Sequence, residues 1–246
     1  MKEWIYGRNA VYETLRAGRR KTYRLKIAQG VQSSDQLETA KQIARERNLA
    51  IEQVPRRELD GIADIHQGVV LQAEEYRYAE FDQLLGNAKH SSSPPFFLLL
   101  DALQDPQNLG TLLRTAEAVG IHGVILPPRR TATVTPAVVN SSAGASEHML
   151  ITQFNLAQAI DELKKANVWV IGLEGGERSQ SVDTVRLDGA LALVVGSEGE
   201  GMRRLVRESC DVLMRLPMQG KIESLNAAVA GSIALYLAWQ ARGFHR

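Results

Sequence analysis

Short, unbroken apolar runs recur through residues 96–246, and segments with helical spacing follow them. Runs that are apolar throughout, without alternation, are typical of strands buried on both faces of a parallel sheet. We therefore predict strands at residues 96–100, 123–126, 168–172, 191–195 and 212–216. The intervening segments predict helices at residues 106–119, 136–143, 156–166, 202–209 and 224–239. This alternation predicts an α/β domain whose ligands bind at the carboxyl ends of the strands.

The pattern before residue 79 predicts a smaller α/β unit. Helical spacing predicts helices at residues 9–17 and 35–48, the first with Asn9 as its cap and Gly18 at its end. Strands are predicted at residues 23–28, 50–54 and 69–73. Residues 79–95 end in a run of serine and proline, which indicates a linker. The chain is therefore expected to fold as two domains, residues 1–78 and 96–246.

Composition is that of an ordinary globular protein. The chain has 246 residues, of which 44% are hydrophobic and 23% are charged. Its one cysteine, Cys210, excludes an intrachain disulfide and fits a reducing compartment, so we expect a cytoplasmic protein. The first residues lack the apolar segment of a secretory signal, and no apolar run is long enough to span a membrane.

The net charge of +1 by itself gives no indication of nucleic-acid binding. One stretch of the first domain nevertheless concentrates cations with no acid between them. Its members are Arg16, Arg19, Arg20, Lys21, Arg24 and Lys26. Such a cluster either holds phosphates by Coulomb attraction and counterion release or forms a solvated surface turn.

The first chemical motif covers residues 101–116, DALQDPQNLGTLLRTA, and links a predicted buried strand to a predicted helix. Asn108, Thr111 and Arg114 are neighbours on that helix, because residues three apart share a face. Loops at strand ends and helix N-termini bind anions through free backbone N–H groups. The alternative is structural, with Asn108 as a hydrogen bonder in the first turn and Arg114 as a surface cation.

The second motif covers residues 191–202, LALVVGSEGEGM. Glycines at 196, 199 and 201 permit positive φ and a close approach of ligand to backbone. The G-x-x-G-x-G spacing differs from both the dinucleotide and the P-loop patterns. Glu198 and Glu200 would repel a phosphate, so a neutral or cationic ligand suits the loop better. A tight strand-to-helix turn explains the spacing equally well.

The third motif covers residues 216–230, LPMQGKIESLNAAVA, where a strand ends in a loop with proline and glycine before a helix begins. Ser224 is the predicted cap of that helix. Its small residues permit another backbone to approach closely. A capped core helix is the structural alternative.

Taken together and in this order, the motifs resemble those of the SpoU, or TrmH, family of RNA ribose methyltransferases. The matching patterns are N-L-G-x-x-x-R-T-A, V-V-G-S-E-G-x-G-M and L-P-M-x-G-x-x-x-S-L-N-x-A-V-A, with SSAGA at residues 141–145 between them. YGRNAV at residues 6–11 and HQG at 66–68 resemble the N-terminal substrate-binding domain of the RlmB subfamily. Members of that subfamily methylate a guanosine ribose in 23S ribosomal RNA.

The resemblance implies a SPOUT-type α/β methyltransferase domain with a C-terminal trefoil knot. A small α/β ribosomal-protein-like (L30e-like) RNA-binding domain would precede it, and the protein would form a homodimer. S-adenosyl-L-methionine would be the cofactor. By motif, its binding residues would be Gly196, Glu198, Gly199, Leu216, Met218, Ser224, Leu225 and Asn226.

The same resemblance puts Arg114 at the catalytic centre, with Asn108 and Glu198 beside it. A guanidinium stays protonated and is a poor general base. Our hypothesis is that Arg114 grips the adjacent RNA phosphate and stabilises the developing alkoxide, while a phosphate oxygen or water takes the proton. Glu198 would organise the loop or Arg114. The RNA-binding residues expected in the first domain are Arg8, Arg16, Arg19, Arg20 and Lys21.

Three alternatives remain at the level of sequence. The same chemistry on transfer RNA competes with ribosomal RNA as substrate. A non-catalytic RNA-binding or ribosome-assembly factor is disfavoured by the intact motifs. Nicotinamide-dependent redox chemistry is disfavoured because its fingerprint is missing. No metal is expected, since the histidines and the cysteine lack ligand spacing.

Overall fold

The computed structural model describes residues 1–176, 178–222 and 224–244. The strands are β1 Lys2–Tyr6, β2 Thr22–Ala28, β3 Ala50–Val54, β4 Val69–Glu74, β5 Phe96–Leu100, β6 Gly123–Leu126, β7 Ile151–Gln153, β8 Trp169–Leu173, β9 Gln180–Ser181, β10 Leu191–Val195 and β11 Val212–Arg215. The helices are α1 Arg8–Ala17, α2 Asp35–Glu46, α3 Arg56–Asp60, α4 Phe81–Lys89, α5 Pro106–Ala118, α6 Pro136–Ser141, α7 Leu156–Lys165, α8 Arg204–Ser209 and α9 Ala227–Ala241. Short 3-10 helices lie at Ala145–His148 and Val182–Thr184.

The first unit comprises Met1–Arg77 and Thr133–His148. Its sheet runs in the order β1-β4-β2-β3. Pairing is antiparallel between β1 and β4 and between β4 and β2, and parallel between β2 and β3. Helix α1 buries one face, Ala10, Val11, Thr14 and Leu15, and begins after Gly7 rather than at the predicted cap Asn9. Gly18 ends it in a left-handed conformation, as predicted.

The second unit comprises Tyr78–Ala132 and Met149–Arg246. Its strands follow the order β7-β6-β5-β10-β8-β11-β9, and each neighbouring pair is parallel. Every residue of the central strands β5 and β10 is buried. The prediction of parallel strands covered on both faces is confirmed, because helices pack on both sides of such a sheet.

Residues 79–95, the predicted linker, contain the helix α4. Phe81, Leu84 and Ala88 recur at helical spacing and pack into the core of the second unit. Phe81 also stacks on Phe154, with ring centroids 4.5 Å apart. The Ser/Pro run at the end of the segment concealed this short amphipathic helix.

Residues 133–148 lie in the sequence of the second predicted domain but pack with the first unit. Asn140 donates a hydrogen bond from Nδ2 to the carbonyl of Tyr6, at 3.0 Å. Arg20 donates to both carboxylate oxygens of Glu147, and both side chains are almost fully buried. Local periodicity cannot reveal this grouping, because these contacts join residues more than 120 positions apart.

Candidate functional site

Three loops lie at the carboxyl edge of the parallel sheet, one after each of β5, β10 and β11. Strands β5 and β10 are direct neighbours, and β8 lies between β10 and β11. Because the strands are parallel, their carboxyl ends meet at one edge of the sheet. The three chemical motifs therefore converge there.

Three side chains, one from each motif, form a closed hydrogen-bonded triangle at this edge. Asn108 donates from Nδ2 to Oε1 of Glu198 at 2.9 Å. Asn226 donates from Nδ2 to Oδ1 of Asn108 at 3.1 Å and also to Oε1 of Glu198. One carboxylate oxygen thus receives two amide donors. This triangle is the observation that brings the predicted catalytic and cofactor residues together.

Asn226 also caps helix α9. Its Oδ1 accepts from the backbone N–H groups of Ala228 and Val229 at 3.0 and 3.1 Å. The predicted cap, Ser224, is wrong, because α9 begins at Ala227 and the residue directly before it occupies the cap position. With Oδ1 committed to two backbone donors, the amide nitrogen must face Glu198.

The loop after β10 depends on Gly196, which is fully buried. A Cβ there would lie 2.3 Å from the carbonyl carbon of Gly201 and 2.5 Å from the nitrogen of Met202. Ser197 and Gly201 exchange backbone hydrogen bonds at 3.1 Å, which closes a tight turn. Gly199 sits inside that turn at φ 82, where an L side chain is strained. The turn presents Glu198 to the edge of the sheet.

An ion pair that the sequence patterns do not indicate joins the buried Asp101 of the first motif to the exposed Arg203, which directly follows the second motif. Asp101 follows β5 and is fully buried. Its carboxylate accepts from the backbone N–H of Arg203 at 2.8 Å and from Nε of the same residue at 2.7 Å. Arg203 directly precedes α8. Asp101 therefore holds the chain in place directly after the second motif. An acidic residue at the end of a buried strand is the sequence signal that could have indicated such a contact.

Helices α5 and α9, which carry Asn108 and Asn226, pack tightly against each other. Gly231 makes this possible, since a Cβ there would lie 2.6 Å from Cδ2 of Leu112. Thr115 and Ser232 share a hydrogen bond between hydroxyls at 2.9 Å. The small residue at position 231 thus lets the side chains of Leu112 and Val195 pack against the helix.

Arg114 lies exposed on α5, the helix that begins with the Asn108 motif. In the part of the chain that the structure describes, its guanidinium has no hydrogen bond or ion pair with another side chain. Glu198 contacts the two asparagines, so the structure supports its organising the loop rather than orienting Arg114. The guanidinium is therefore available to an external anion.

The remaining predicted cofactor residues line the loop between β11 and α9. Leu216 and Leu225 are partly buried, whereas Met218 and Ser224 are exposed. Met218 is 41% exposed, and Ile222 of the same loop is 65% exposed, which is unusual for apolar side chains. The loop thus exposes apolar side chains between β11 and Asn226, which contacts Glu198.

The predicted RNA-binding cations of the first unit do not all lie on its surface. Arg20 is buried and pairs with Glu147 and Glu3, so its assignment to RNA contact is wrong. A cation whose hydrogen bonds are filled inside the core cannot also hold a phosphate. Arg16, Arg19 and Lys21 are exposed.

Arg8 lines a cleft of about 630 Å³ in the first unit. Its guanidinium donates to the carbonyl oxygens of Gln67 and Gln32 at 3.3 and 2.9 Å. Arg56, Asn9 and Gln36 also line the cleft, which is therefore cationic and rich in amides. Such a lining can hydrogen-bond nucleotide bases and phosphates.

Other classes of site have little support within the described residues. No group of three or more His, Cys, Asp or Glu side chains is arranged to hold a metal ion. None of the described helices combines the length and apolarity needed to cross a membrane. Burial raises the pKa of the Cys210 thiol to about 12, so this cysteine is not poised as a nucleophile.

Comparison with known protein families divides the chain in two. Residues 95–236 match the SpoU rRNA Methylase family, and residues 4–79 match the family described as RNA 2'-O ribose methyltransferase substrate binding. YacO of Bacillus subtilis, which is assigned to the TrmH family of tRNA/rRNA methyltransferases, is 43% identical over 244 residues. The match covers 98% of this chain and 96% of YacO.

Solved structures agree with this fold. The SpoU methyltransferase AviRb from Streptomyces viridochromogenes, in complex with the cofactor AdoMet, superposes with a TM-score of 0.80 at 21% identity, covering 99% of this chain and 92% of AviRb. The AdoMet-bound rRNA methyltransferase from Sinorhizobium meliloti superposes with a TM-score of 0.78 at 25% identity, covering 97% of this chain and 87% of that protein.

Proposed function

Because this chain belongs to the SpoU rRNA Methylase family, we propose that it methylates the ribose 2'-hydroxyl of a guanosine in 23S ribosomal RNA, with S-adenosylmethionine as donor. The triangle of Asn108, Glu198 and Asn226 carries the proposal, since it joins all three motifs at one edge of the sheet. Residues 96–246 would form the catalytic domain, and residues 1–78 would bind the RNA.

The residues at this edge fit S-adenosylmethionine. That molecule combines a cationic sulfonium with a flat purine, and it supplies an electrophilic methyl group when bound. Glu198 offers negative charge, which a phosphate would avoid and a cation would favour. Met218 and Leu216 offer apolar contact for a purine, and Gly199 leaves its backbone open to a ligand. Gly196, Ser224 and Leu225 would complete the site.

The residues of the site must orient the ribose 2'-hydroxyl and allow its proton to leave. Arg114 would grip the phosphate next to the target ribose, since guanidinium and phosphate pair through two parallel hydrogen bonds. The same charge stabilises the oxygen as it becomes nucleophilic. When bound, S-adenosylmethionine would supply the methyl group to the ribose oxygen, and the hydroxyl proton would pass to a phosphate oxygen or water. Orientation supplies much of the acceleration, because the methyl donor is already activated.

A homodimer is supported by one face of α9. Val229, Ile233 and Tyr236 are spaced as i, i+4 and i+7 and are each at least 40% exposed. An apolar stripe of this kind is typical of an interface. Beside it, α9 packs closely on α5 and β10 through Gly231, as expected for a trefoil knot in a SPOUT domain.

Two further elements of the proposal concern the first unit and the cell. Its sheet of mixed pairing with flanking helices is compatible with an L30e-like RNA-binding module. A cytoplasmic location follows from the substrate, and the free thiol of Cys210 suits that reducing compartment.

Transfer of tritium from labelled S-adenosylmethionine to unmodified 23S ribosomal RNA and to bulk transfer RNA tests the function. We expect label in the ribosomal RNA, located at one guanosine ribose. Label found only in transfer RNA would show that transfer RNA, and not ribosomal RNA, is the substrate. Binding of RNA without transfer to any RNA would favour the non-catalytic assembly factor.

Arg114→Lys tests the role of the guanidinium, since it keeps the charge but loses the planar fork. We expect the single-turnover rate to fall at least tenfold with S-adenosylmethionine affinity unchanged. A near-normal rate would show that two parallel hydrogen bonds are not needed there.

A further inference from the structure

Two neighbouring arginines lie at the carboxyl edge of the parallel sheet and have no role in the proposed site so far. Arg129 and Arg130 follow β6, which pairs in parallel with β5. Their loop therefore emerges next to the loop that leads from β5 to Asn108. Both side chains are exposed.

Hydrogen bonds attach this arginine loop, residues 127–132, to the first motif. The carbonyl oxygen of Leu103 accepts from the hydroxyl of Thr131 at 3.0 Å and from the backbone N–H of Ala132 at 2.7 Å. Leu103 is itself buried and lies two residues before Asp105, which caps α5. The arginines are thus held at a fixed place beside the helix that carries Asn108 and Arg114.

Neither arginine is neutralised by the described part of the chain. No ion pair or hydrogen bond of either guanidinium is found there. The sequence has no Asp or Glu between Glu117 and Glu147, and Asp101 nearby is committed to Arg203. Two adjacent exposed guanidinium groups repel each other by about 1 kcal/mol in water, and a bound anion would relieve that repulsion.

The backbone at Arg130 supports the same conclusion. Its φ is 59, in the left-handed region that a residue with a branched or long side chain enters at a cost of about 1 kcal/mol. The bonds from Thr131 and Ala132 to Leu103 hold the chain in that conformation. Such strain is concentrated where a side chain must point in a required direction.

We propose that Arg129 and Arg130 bind phosphates of the RNA strand that flanks the target nucleotide. They are positioning residues, which bring the ribose to the edge of the sheet without contacting the methyl group. The inference rests on the proposed function, because it assumes that RNA is the substrate. RNA is favoured over a small anion because two adjacent charges on an exposed loop can each contact one of two successive phosphates.

The test compares Arg129→Gln/Arg130→Gln with a matched control, Lys89→Gln/Lys165→Gln. Each variant loses two positive charges. Lys89 and Lys165 are exposed and end α4 and α7, the helices that precede β5 and β8, so they lie at the opposite edge of the sheet. Binding of unmodified 23S ribosomal RNA is measured over a series of KCl concentrations, together with single-turnover transfer at saturating RNA.

For the arginine variant we expect RNA affinity to fall about tenfold at low salt. The slope of log affinity against log salt should become shallower by about 1.4, because each of the two lost contacts with single-stranded phosphate contributes about 0.7 to the slope. The transfer rate at saturating RNA should stay within about twofold of the wild type, and Arg129→Lys/Arg130→Lys should recover most of the slope. The control should change the slope by less than half as much.

Three results would overturn the inference. An unchanged slope would show that the arginines do not contact phosphates. A reduced transfer rate with unchanged RNA affinity would show that the arginines act in catalysis rather than in RNA binding. Elution of the arginine variant as a smaller species in size-exclusion chromatography would show that the arginines contact a second copy of the chain. Failure of the wild type to bind or methylate any RNA is a separate outcome, because it would reject the proposed function itself.

Discussion

Asn226 performs two tasks that substitution can separate. Its oxygen caps α9, and its nitrogen joins the loops that carry Asn108 and Glu198. Asn226→Ala removes both functions. Asn226→Ser and Asn226→Asp keep an oxygen that can cap a helix but lose the amide donor. The series therefore distinguishes the stability of the helix from the integrity of the site.

The magnitudes follow from the bonds lost. The cap contributes about 1 kcal/mol. The two hydrogen bonds from the amide nitrogen contribute about 0.5 kcal/mol each, at the low end because the site is exposed. Asn226→Ala should therefore lose about 2 kcal/mol and Asn226→Ser about half of that. For a chain of this size, the two melting temperatures should fall by about 4–8 °C and 2–4 °C.

Asn226→Asp places a second carboxylate against Glu198. Two like charges about 4 Å apart repel by about 1–4 kcal/mol near a protein surface. The repulsion raises the pKa of one of the two carboxyls in the folded variant above its value in the unfolded chain. Above the raised pKa, the folded Asn226→Asp variant is therefore destabilised by the full repulsion between the two carboxylates. The destabilisation is lost as pH falls towards about 4, because one carboxyl is then protonated and can donate a hydrogen bond in place of the amide. The deficit in melting temperature should narrow between pH 7 and pH 5.

The assays are thermal unfolding followed by circular dichroism and single-turnover transfer of tritium from S-adenosylmethionine. Asn226→Ser and Asn226→Asp should both lose transfer activity at temperatures where they remain folded. Equal stability of the Ala and Ser variants would refute the cap. Wild-type transfer by the Asp variant at neutral pH would refute the conclusion that the triangle belongs to the active site.

Three other substitutions follow from the same structure. Gly196→Ala should greatly reduce both the yield of folded protein and the affinity for the cofactor. The new Cβ would lie 2.3 Å from the backbone of Gly201, a clash that only a shift of the loop relieves. The yield of soluble protein and calorimetric titration with the cofactor measure the two effects. Arg20→Gln should cost about 3–5 kcal/mol in a urea unfolding curve, since it leaves Glu147 charged and buried; a near-wild-type curve would show that the pair is not required. Glu198→Gln preserves the acceptor oxygen but removes its charge, so affinity for S-adenosylmethionine should fall about fivefold while affinity for the neutral thioether product changes less than twofold, by calorimetry. Equal losses for both ligands would exclude a charge effect.

The parallel sheet could be predicted because its strands are buried on both faces. A strand such as β5 must be apolar at every position, whereas a helix covered on one side alternates apolar and polar residues with a period near 3.6. Strand β1 was missed because its residues alternate in burial only weakly. The packing of residues 133–148 with the first unit is not predictable from local sequence, because the contacts with β1 and with Arg20 depend on tertiary pairing.

The candidate site was predictable in its residue types but not in its bonds. Asn108, Glu198 and Asn226 were each selected by motif, yet nothing local states that Asn226 bonds to both of the others. The ion pair between the buried Asp101 and the exposed Arg203 is not predictable for the same reason. A pattern constrains which face a residue occupies, whereas the partner of a polar group depends on chain segments about 100 residues away.

The charges at the carboxyl edge of the sheet are arranged for two ligands of opposite sign. Amides hold Glu198 in place, so the loop is fixed while its negative charge is kept. A lysine or arginine in place of either asparagine would neutralise that charge and would lack the amide oxygen that accepts a hydrogen bond. Arg129 and Arg130, in the loop after β6, are exposed and unpaired within the described chain, as is Arg114, which lies about 9 Å beyond Asn108 along α5. Under the proposed function, Glu198 would attract the cationic methyl donor, and Arg129 and Arg130 would attract the anionic RNA strand.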